Sequence, residues 1–180
     1  DRNALRKWKG AHPGQRSFTV LRHPLARAYA AWNDLLNRDF MPELRPYLKR
    51  VHKFQLPPKG QGFASAEEFR DGFKVFLALF KHIFAGRTEL RTLMQFATQG
   101  AILQGFAQLQ SPDMVIREDH LQSALDHLAA EAGIPSHPLP PSAETAPYSL
   151  ADLYAPDLEA LAREAYGRDY TGFGFRDWQP

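Results

Sequence analysis

The chain has 180 residues, of which 44% are hydrophobic and 23% are charged, a balance typical of a globular domain. It contains no cysteine, which excludes disulfides and thiolate metal sites, and its net charge of +2 does not favour general nucleic-acid binding. No apolar run approaches the roughly 20 residues that a membrane-spanning helix needs. Because a length of 180 residues fits one domain, we expect a single domain over residues 1–180.

The first element along the chain is a β-prone run at residues 17–21, SFTVL, which predicts a buried strand. Pro24 then falls where a first helical turn would begin. Proline suits this position, because an N–H there would have no partner within the helix. The apolar spacing that follows predicts a helix over 25–36, and residues 42–54 predict another. Residues 56–62, LPPKGQG, predict a loop or flap.

A longer helix is predicted from an N-cap at Ser65 to about Phe84, where Gly86 ends it. Its apolar stripe predicts core residues, namely Phe69, Phe73, Phe76, Phe80 and Ile83. Further helices are predicted over 98–109, 119–132 (closed by Gly133), 149–153 and 156–166. Residues 114–117, MVIR, predict a second short buried strand. The Pro-rich stretch 137–147 predicts a surface loop, and an irregular aromatic tail is expected from Gly167 onward.

Two short strands among many helices predict an α/β domain that lacks part of its sheet. Arg22 ends the first strand and precedes a helix, the position at which open α/β sheets bind ligands. The helix start offers N–H groups and a positive dipole end, and the guanidinium matches a phosphate. This turn therefore predicts a phosphate site, although an ion pair between Arg22 and a carboxylate is the alternative.

Four segments resemble, in order, the carbohydrate sulfotransferases, the branch that includes the nodulation sulfotransferases. The first is SFTVLRHPLARAYAAW, which is similar to the family's 3′-phosphate motif. The others are ATQGAILQGF with Gln99, MVIREDHLQSAL with Glu118, and the closing LADLYAPDLEALAREAYGRDYTGFGF. The resemblance implies a P-loop-like α/β sulfotransferase fold. It also implies transfer of a sulfuryl group from 3′-phosphoadenosine 5′-phosphosulfate (PAPS) to a hydroxyl of a carbohydrate-type acceptor, without a metal.

Residue by residue, the resemblance assigns Arg22 to the 3′-phosphate and Arg27 to a second family arginine that is cofactor-binding or structural. Ala30 stands where the family usually has a serine whose hydroxyl shares that phosphate. Losing one hydrogen bond to a charged group costs about 1.5–3 kcal/mol, so this departure weakens the expected site. Ser142, with Thr145, lies where the family often brings a second segment over the nucleotide.

The family's opening motif, a Gly/Ser/Thr-rich turn that cradles the 5′-phosphosulfate, has no counterpart in residues 1–15. Because the chain begins with Asp1 rather than Met, we expect that motif to lie upstream in a longer protein, of which this is a C-terminal portion. The reaction needs a base to remove the proton of the acceptor hydroxyl, a role suited to His or Glu near neutral pH. His12 is the first candidate, and His23, beside Arg22, is the second.

Two other functions stay open. The first is a non-catalytic helical module derived from the same fold, which recruits a partner through its aromatic tail and basic residues. The second is another P-loop-like phosphotransferase, which the absence of G-x-x-x-x-G-K-[ST] disfavours. A composition rich in Ala, Arg and Pro favours a bacterial source with a GC-rich genome, and we expect a cytoplasmic protein.

Overall fold

The computed structural model describes residues 2–38, 41–58, 60–140 and 146–179. It is helix-rich and mixed α/β. The two strands are β1 (Phe18–Leu21) and β2 (Met114–Arg117). The helices are α1 (Arg2–Ala11), α2 (Pro24–Arg38), α3 (Leu44–Tyr47), α4 (Ala66–Phe84), α5 (Gln99–Ala107), α6 (Leu121–Ala132), α7 (Leu150–Leu153) and α8 (Pro156–Phe173). A π-helical turn, Leu48–His52, follows α3, and a 3₁₀ turn, Glu118–His120, precedes α6.

By its backbone contacts the chain divides into two compact units. The first unit comprises Asp1–Arg22 and Gln99–Pro141, and the second comprises His23–Thr98 and Ser142–Pro180. The single domain expected over 1–180 is not tested by this division and stays a prediction. Within the described residues, no helix is long and apolar enough to cross a membrane.

The sheet lies in the first unit, where β1 and β2 pair in parallel with Phe18 opposite Met114 and Leu21 opposite Arg117. Both strands were predicted, but the expectation that they are buried holds for only one residue of each, Leu21 and Ile116. Phe18 and Val20 are 45% and 38% exposed, and Val115 is 51% exposed. The reason is that parallel strands are buried only when helices cover both faces of a wider sheet, and the described sheet has two strands.

The second unit is organised around α4, whose predicted core stripe is confirmed: Phe69, Phe73, Phe76, Phe80 and Ile83 are all buried. The predicted N-cap is confirmed as well, because Ser65 Oγ accepts a hydrogen bond from the Glu68 N–H at 3.1 Å. Helix α4 packs against α8 and α2. Three ion pairs join α4 to α8, namely Arg70–Asp157 at 2.6 Å, Lys74–Asp157 at 2.8 Å and Lys81–Glu164 at 2.9 Å.

Two predicted elements differ from the structure. The aromatic tail does not become irregular at Gly167, because α8 continues to Phe173 with a kink at Tyr166. Burial of Tyr166 and Tyr170 stabilises this helical extension and outweighs the low helix propensity of Gly167. The helix predicted over 42–54 is divided into α3 and the π-helical turn, and it ends where Lys53 adopts a left-handed φ of 54°.

Candidate functional site at the carboxyl end of the sheet

The candidate site begins where the two parallel strands end. Because Leu21 is in register with Arg117, the next residues, Arg22 and Glu118, follow side by side at the carboxyl edge of the sheet. Arg22 Nε lies 3.1 Å from Glu118 Oε2, and both side chains are partly exposed. The ion pair that was the alternative to a phosphate site is therefore present.

Gln99, the first residue of α5, fixes the main chain of Arg22. Its side-chain Nε2 donates to the Arg22 carbonyl and its Oε1 accepts from the Arg22 N–H, each at 2.9 Å. A side-chain amide thus makes the pair of bonds that a neighbouring strand would make. Gln99 is buried, so these bonds satisfy polar groups that would otherwise be costly to leave unpaired.

Arg22, Gln99 and Glu118 come from the first three segments that carry the sulfotransferase resemblance, and the structure brings all three together in the first unit. A second pair stands at the same edge, where Arg117 donates to both carboxylate oxygens of Asp119, at 3.2 and 2.8 Å. Burial is the largest single effect on the pKa of Asp119 and raises it, but the hydrogen bond from Arg117 together with the charges of Arg117 and His120 brings the pKa below its ordinary value. The edge therefore carries two arginines, each beside a carboxylate.

The start of α2 offers an anion fewer N–H groups than expected. Pro24 has no N–H, and the Leu25 N–H donates to His23 Nδ1 at 3.2 Å. His23 Nε2 in turn donates to the Arg176 carbonyl, at 3.0 Å. Both ring nitrogens of His23 are thereby engaged, with the proton on Nε2. This histidine acts as a helix cap, and the contacts give no support to the expectation that it is a catalytic base.

Arg27 also lies in the second unit, and its guanidinium bonds to backbone carbonyls. Nη1 donates to Ala97 O at 2.7 Å, and Nη2 donates to Met94 O at 3.2 Å. Burial lowers the pKa of Arg27, while the nearby Tyr166 and Asp169 raise it. These contacts are those of a structural arginine, which is one of the two roles that the resemblance allows. Ala30 is half-buried on α2.

Of the other predicted site residues, His12 is not brought to Arg22. His12 is exposed and stacks on Trp8, with 4.5 Å between ring centroids, before the amino end of β1. Arg22 follows the carboxyl end of the same strand. Ser142 and Thr145 lie outside the described residues. The roles of His12 as base and of Ser142 as a nucleotide contact stay predictions.

Two contacts of the first unit were not anticipated. The clamp of Gln99 on Arg22 joins residues 77 positions apart, so no local pattern could indicate it. At the opposite edge of the sheet, Asp113 Oδ2 accepts from the Ser17 N–H at 2.7 Å and from Ser17 Oγ at 2.8 Å. The only signal for this second contact is the Ser-Pro-Asp turn that precedes β2.

Comparison with protein-family models, with curated proteins and with solved structures gave no match to this chain. In the part of the chain that the structure describes, no cluster of three or more His, Asp or Glu residues could hold a metal ion.

Proposed function

We propose that this chain is a sulfotransferase-like domain in which Arg22 holds the 3′-phosphate of PAPS, and that the acceptor is a hydroxyl of a carbohydrate. PAPS supplies the sulfuryl group. The observation that carries the proposal is the meeting of Arg22, Gln99 and Glu118 at the carboxyl edge of a parallel sheet. Ligands of open α/β sheets bind at this edge.

The three residues have separate roles in this proposal. Arg22 provides a partly exposed guanidinium that bonds to the phosphate. Gln99 holds the Arg22 main chain in place through its two hydrogen bonds, which fixes the position from which the Arg22 side chain extends. Glu118 lies 3.1 Å from Nε of Arg22 and balances part of its charge.

The proposal assigns no residue of this chain to the 5′-phosphosulfate. The P-loop-like sulfotransferase fold is part of the proposal, and the parallel strand pair followed by helices is compatible with it. Within that fold we propose Arg27 as an internal support of the second unit, on the evidence of its two carbonyl contacts.

Titration calorimetry with adenosine 3′,5′-bisphosphate tests the proposal. We expect saturable binding and a loss of about 10- to 100-fold in affinity for Arg22→Ala, since a lost charge-assisted bond costs about 1.5–3 kcal/mol. The matched control is Arg117→Ala, which removes an equal charge one residue before Glu118 and should change the affinity less than threefold. Equal losses in both variants would show unspecific attraction and reject the assignment of Arg22.

A second candidate is the non-catalytic interaction module, and a specific observation favours it. Several large apolar side chains of the first unit are exposed, including Val115 on the sheet and Phe106 and Leu109 at the end of α5. The aromatic tail first expected for this role is partly covered, because Tyr170 and Phe175 are buried in the second unit while Phe173 and Trp178 are half-buried. Absence of nucleotide binding by the unaltered chain would favour this module over the enzyme.

A further inference from the structure

A groove lies in the first unit at the amino end of β1, away from Arg22. Its volume is about 840 Å³, within the roughly 300–1,000 Å³ of small-molecule sites. The groove is bounded by α1, by the turn that leads into β1, by α6 and by the segment that follows α6. Its apolar lining residues are Trp8, Phe18, Leu125, Leu128 and Ile134.

The rim of this groove exposes large apolar surface to water. Trp8 is 47% exposed and Ile134 is 61% exposed. The indole of Trp8 is held in place by the stacked ring of His12, whose Nδ1 also lies 2.8 Å from the Trp8 carbonyl. A fixed aromatic wall loses little conformational entropy when a ligand packs against it, so the groove is preorganised for an apolar body.

The charges around the groove are mainly positive. Arg16 lines it and lies near Asp113, whose pKa it helps to lower. Helix α1 contributes further cations, Arg6, Lys7 and Lys9, and has no acidic residue between Arg2 and Ala11. Two carboxylates lie nearby: Asp113 also accepts bonds from Ser17, and Glu131, which lines the groove, lies 3.6 Å from His127. The four cations outnumber them, so an anionic group placed beside Arg16 would be attracted.

We propose that this groove binds a small anionic amphiphile, a molecule with an alkyl or aromatic body and a single carboxylate or sulfate. The body lies between Trp8 and Phe18 on one side and Leu128 on α6, and the anionic group lies beside Arg16. This site is separate from the proposed nucleotide site, since the two lie at opposite ends of β1, and it does not depend on the proposed function.

The probe is decanoate below its micelle-forming concentration, added to the unaltered chain and followed by tryptophan fluorescence and calorimetry. We expect saturable binding with one site and a change in emission that disappears in Trp8→Phe, because Trp32 and Trp178 lie outside the groove. Arg16→Gln should weaken decanoate at least fivefold while leaving the neutral analogue decanol within twofold.

A pair of matched variants locates the site. Ile134→Glu places a carboxylate on the groove rim and should abolish decanoate binding, whereas Leu109→Glu makes the same kind of change at an equally exposed residue outside the groove and should not. Equal effects of the two variants would overturn the proposal. A third outcome is that the chain binds vesicles of anionic phospholipid, that Ile134→Glu leaves this binding unchanged, and that decanoate does not bind. That outcome would overturn the proposal in favour of a membrane-binding surface.

Discussion

Asp113 is an exposed carboxylate that nonetheless has one defined task. Its Oδ2 accepts from both the N–H and the hydroxyl of Ser17, so it joins the residue before β2 to the residue before β1. The backbone hydrogen bond from Ser17 lowers the pKa of Asp113, with a further contribution from the Ser17 hydroxyl and from Lys9 and Arg16 nearby. A carboxyl group whose pKa falls on folding stabilises the folded state when it is ionised.

The sign of the pH dependence follows. The stabilisation is fully present above the unfolded pKa of about 3.9 and is lost as the pH falls through the lower folded value. We expect Asp113→Asn to lower the urea midpoint at pH 7 and the gap to the unaltered chain to close below about pH 4. Asp71→Asn, which removes one carboxylate from the second unit, controls for net charge. A gap that persists undiminished to pH 2 would contradict this account.

Single side chains also mark the limit of what the sequence could predict at the site. The position of Arg22 at a strand end followed from a local pattern, SFTVL before Pro24, and the structure confirms that position. The partners of Arg22 and Arg27 did not follow, since Gln99 is 77 residues from Arg22 and Ala97 is 70 residues from Arg27. Contacts at such distances depend on the tertiary fold and leave no periodicity in the sequence.

Among the elements, α4 is approached closely by aromatic side chains at Gly72. A Cβ built on Gly72 would lie 2.9 Å from Phe63 Cζ, 3.0 Å from Phe54 Cζ and 3.1 Å from Trp32 Cζ2. Three aromatic rings thus converge on one glycine in the middle of a helix. The residue is needed for packing and not for its φ angle, which is not in the left-handed region.

This packing reverses the usual effect of replacing a helical glycine. Gly→Ala in an open helix stabilises by about 0.5–1 kcal/mol, whereas overpacking a core costs about 1–3 kcal/mol. We expect Gly72→Ala to destabilise the protein by an amount in the latter range, measured by urea unfolding. Gly167→Ala on α8, where a Cβ would meet no atom within 4 Å, should be neutral or stabilising. A stabilising Gly72→Ala would show that the three rings can move aside.

The elements also differ in how well the sequence predicted them. Helix α4 was predicted almost to the residue, because an N-cap, an apolar stripe and a terminating glycine all indicate the same helix in one short segment. Strand β2 was predicted with its bounds unchanged. Helix α1 was not predicted, since its only apolar pair, Leu5 and Trp8, is too short a pattern to stand out among cations. The extension of α8 beyond Gly167 depends on the burial of Tyr170, which only the fold reveals.

For the molecule as a whole, the two units differ sharply in their cores. Among the described apolar residues of the first unit, only Leu21, Ile116 and Ala129 are buried. The second unit holds the large buried aromatic cluster, including Trp32, Phe76 and Phe96. Since hydrophobic burial is the dominant stabilising contribution, the free energy of local opening should be lower in the first unit.

Hydrogen exchange followed by mass spectrometry measures this difference directly. We expect the amides of β1 and β2 that pair the two strands to exchange markedly faster than those in the middle of α4 and α8. Exchange should approach a common rate only near the denaturant midpoint. Equal protection of β2 and α4 in native buffer would show that the two units open together, against the prediction.

The pairing of β1 with β2 has a consequence for the protein during its own synthesis. Ser17 and Asp113, which flank the two strands, are 96 residues apart. At roughly 5–20 residues per second, the ribosome delivers β2 about 5–20 s after β1. For that interval the nascent chain carries an unpaired strand with exposed Phe18 and Val20, while the helices α2 and α4 emerge and begin to pack. For that reason β1 is the segment that a ribosome-bound chaperone would shield.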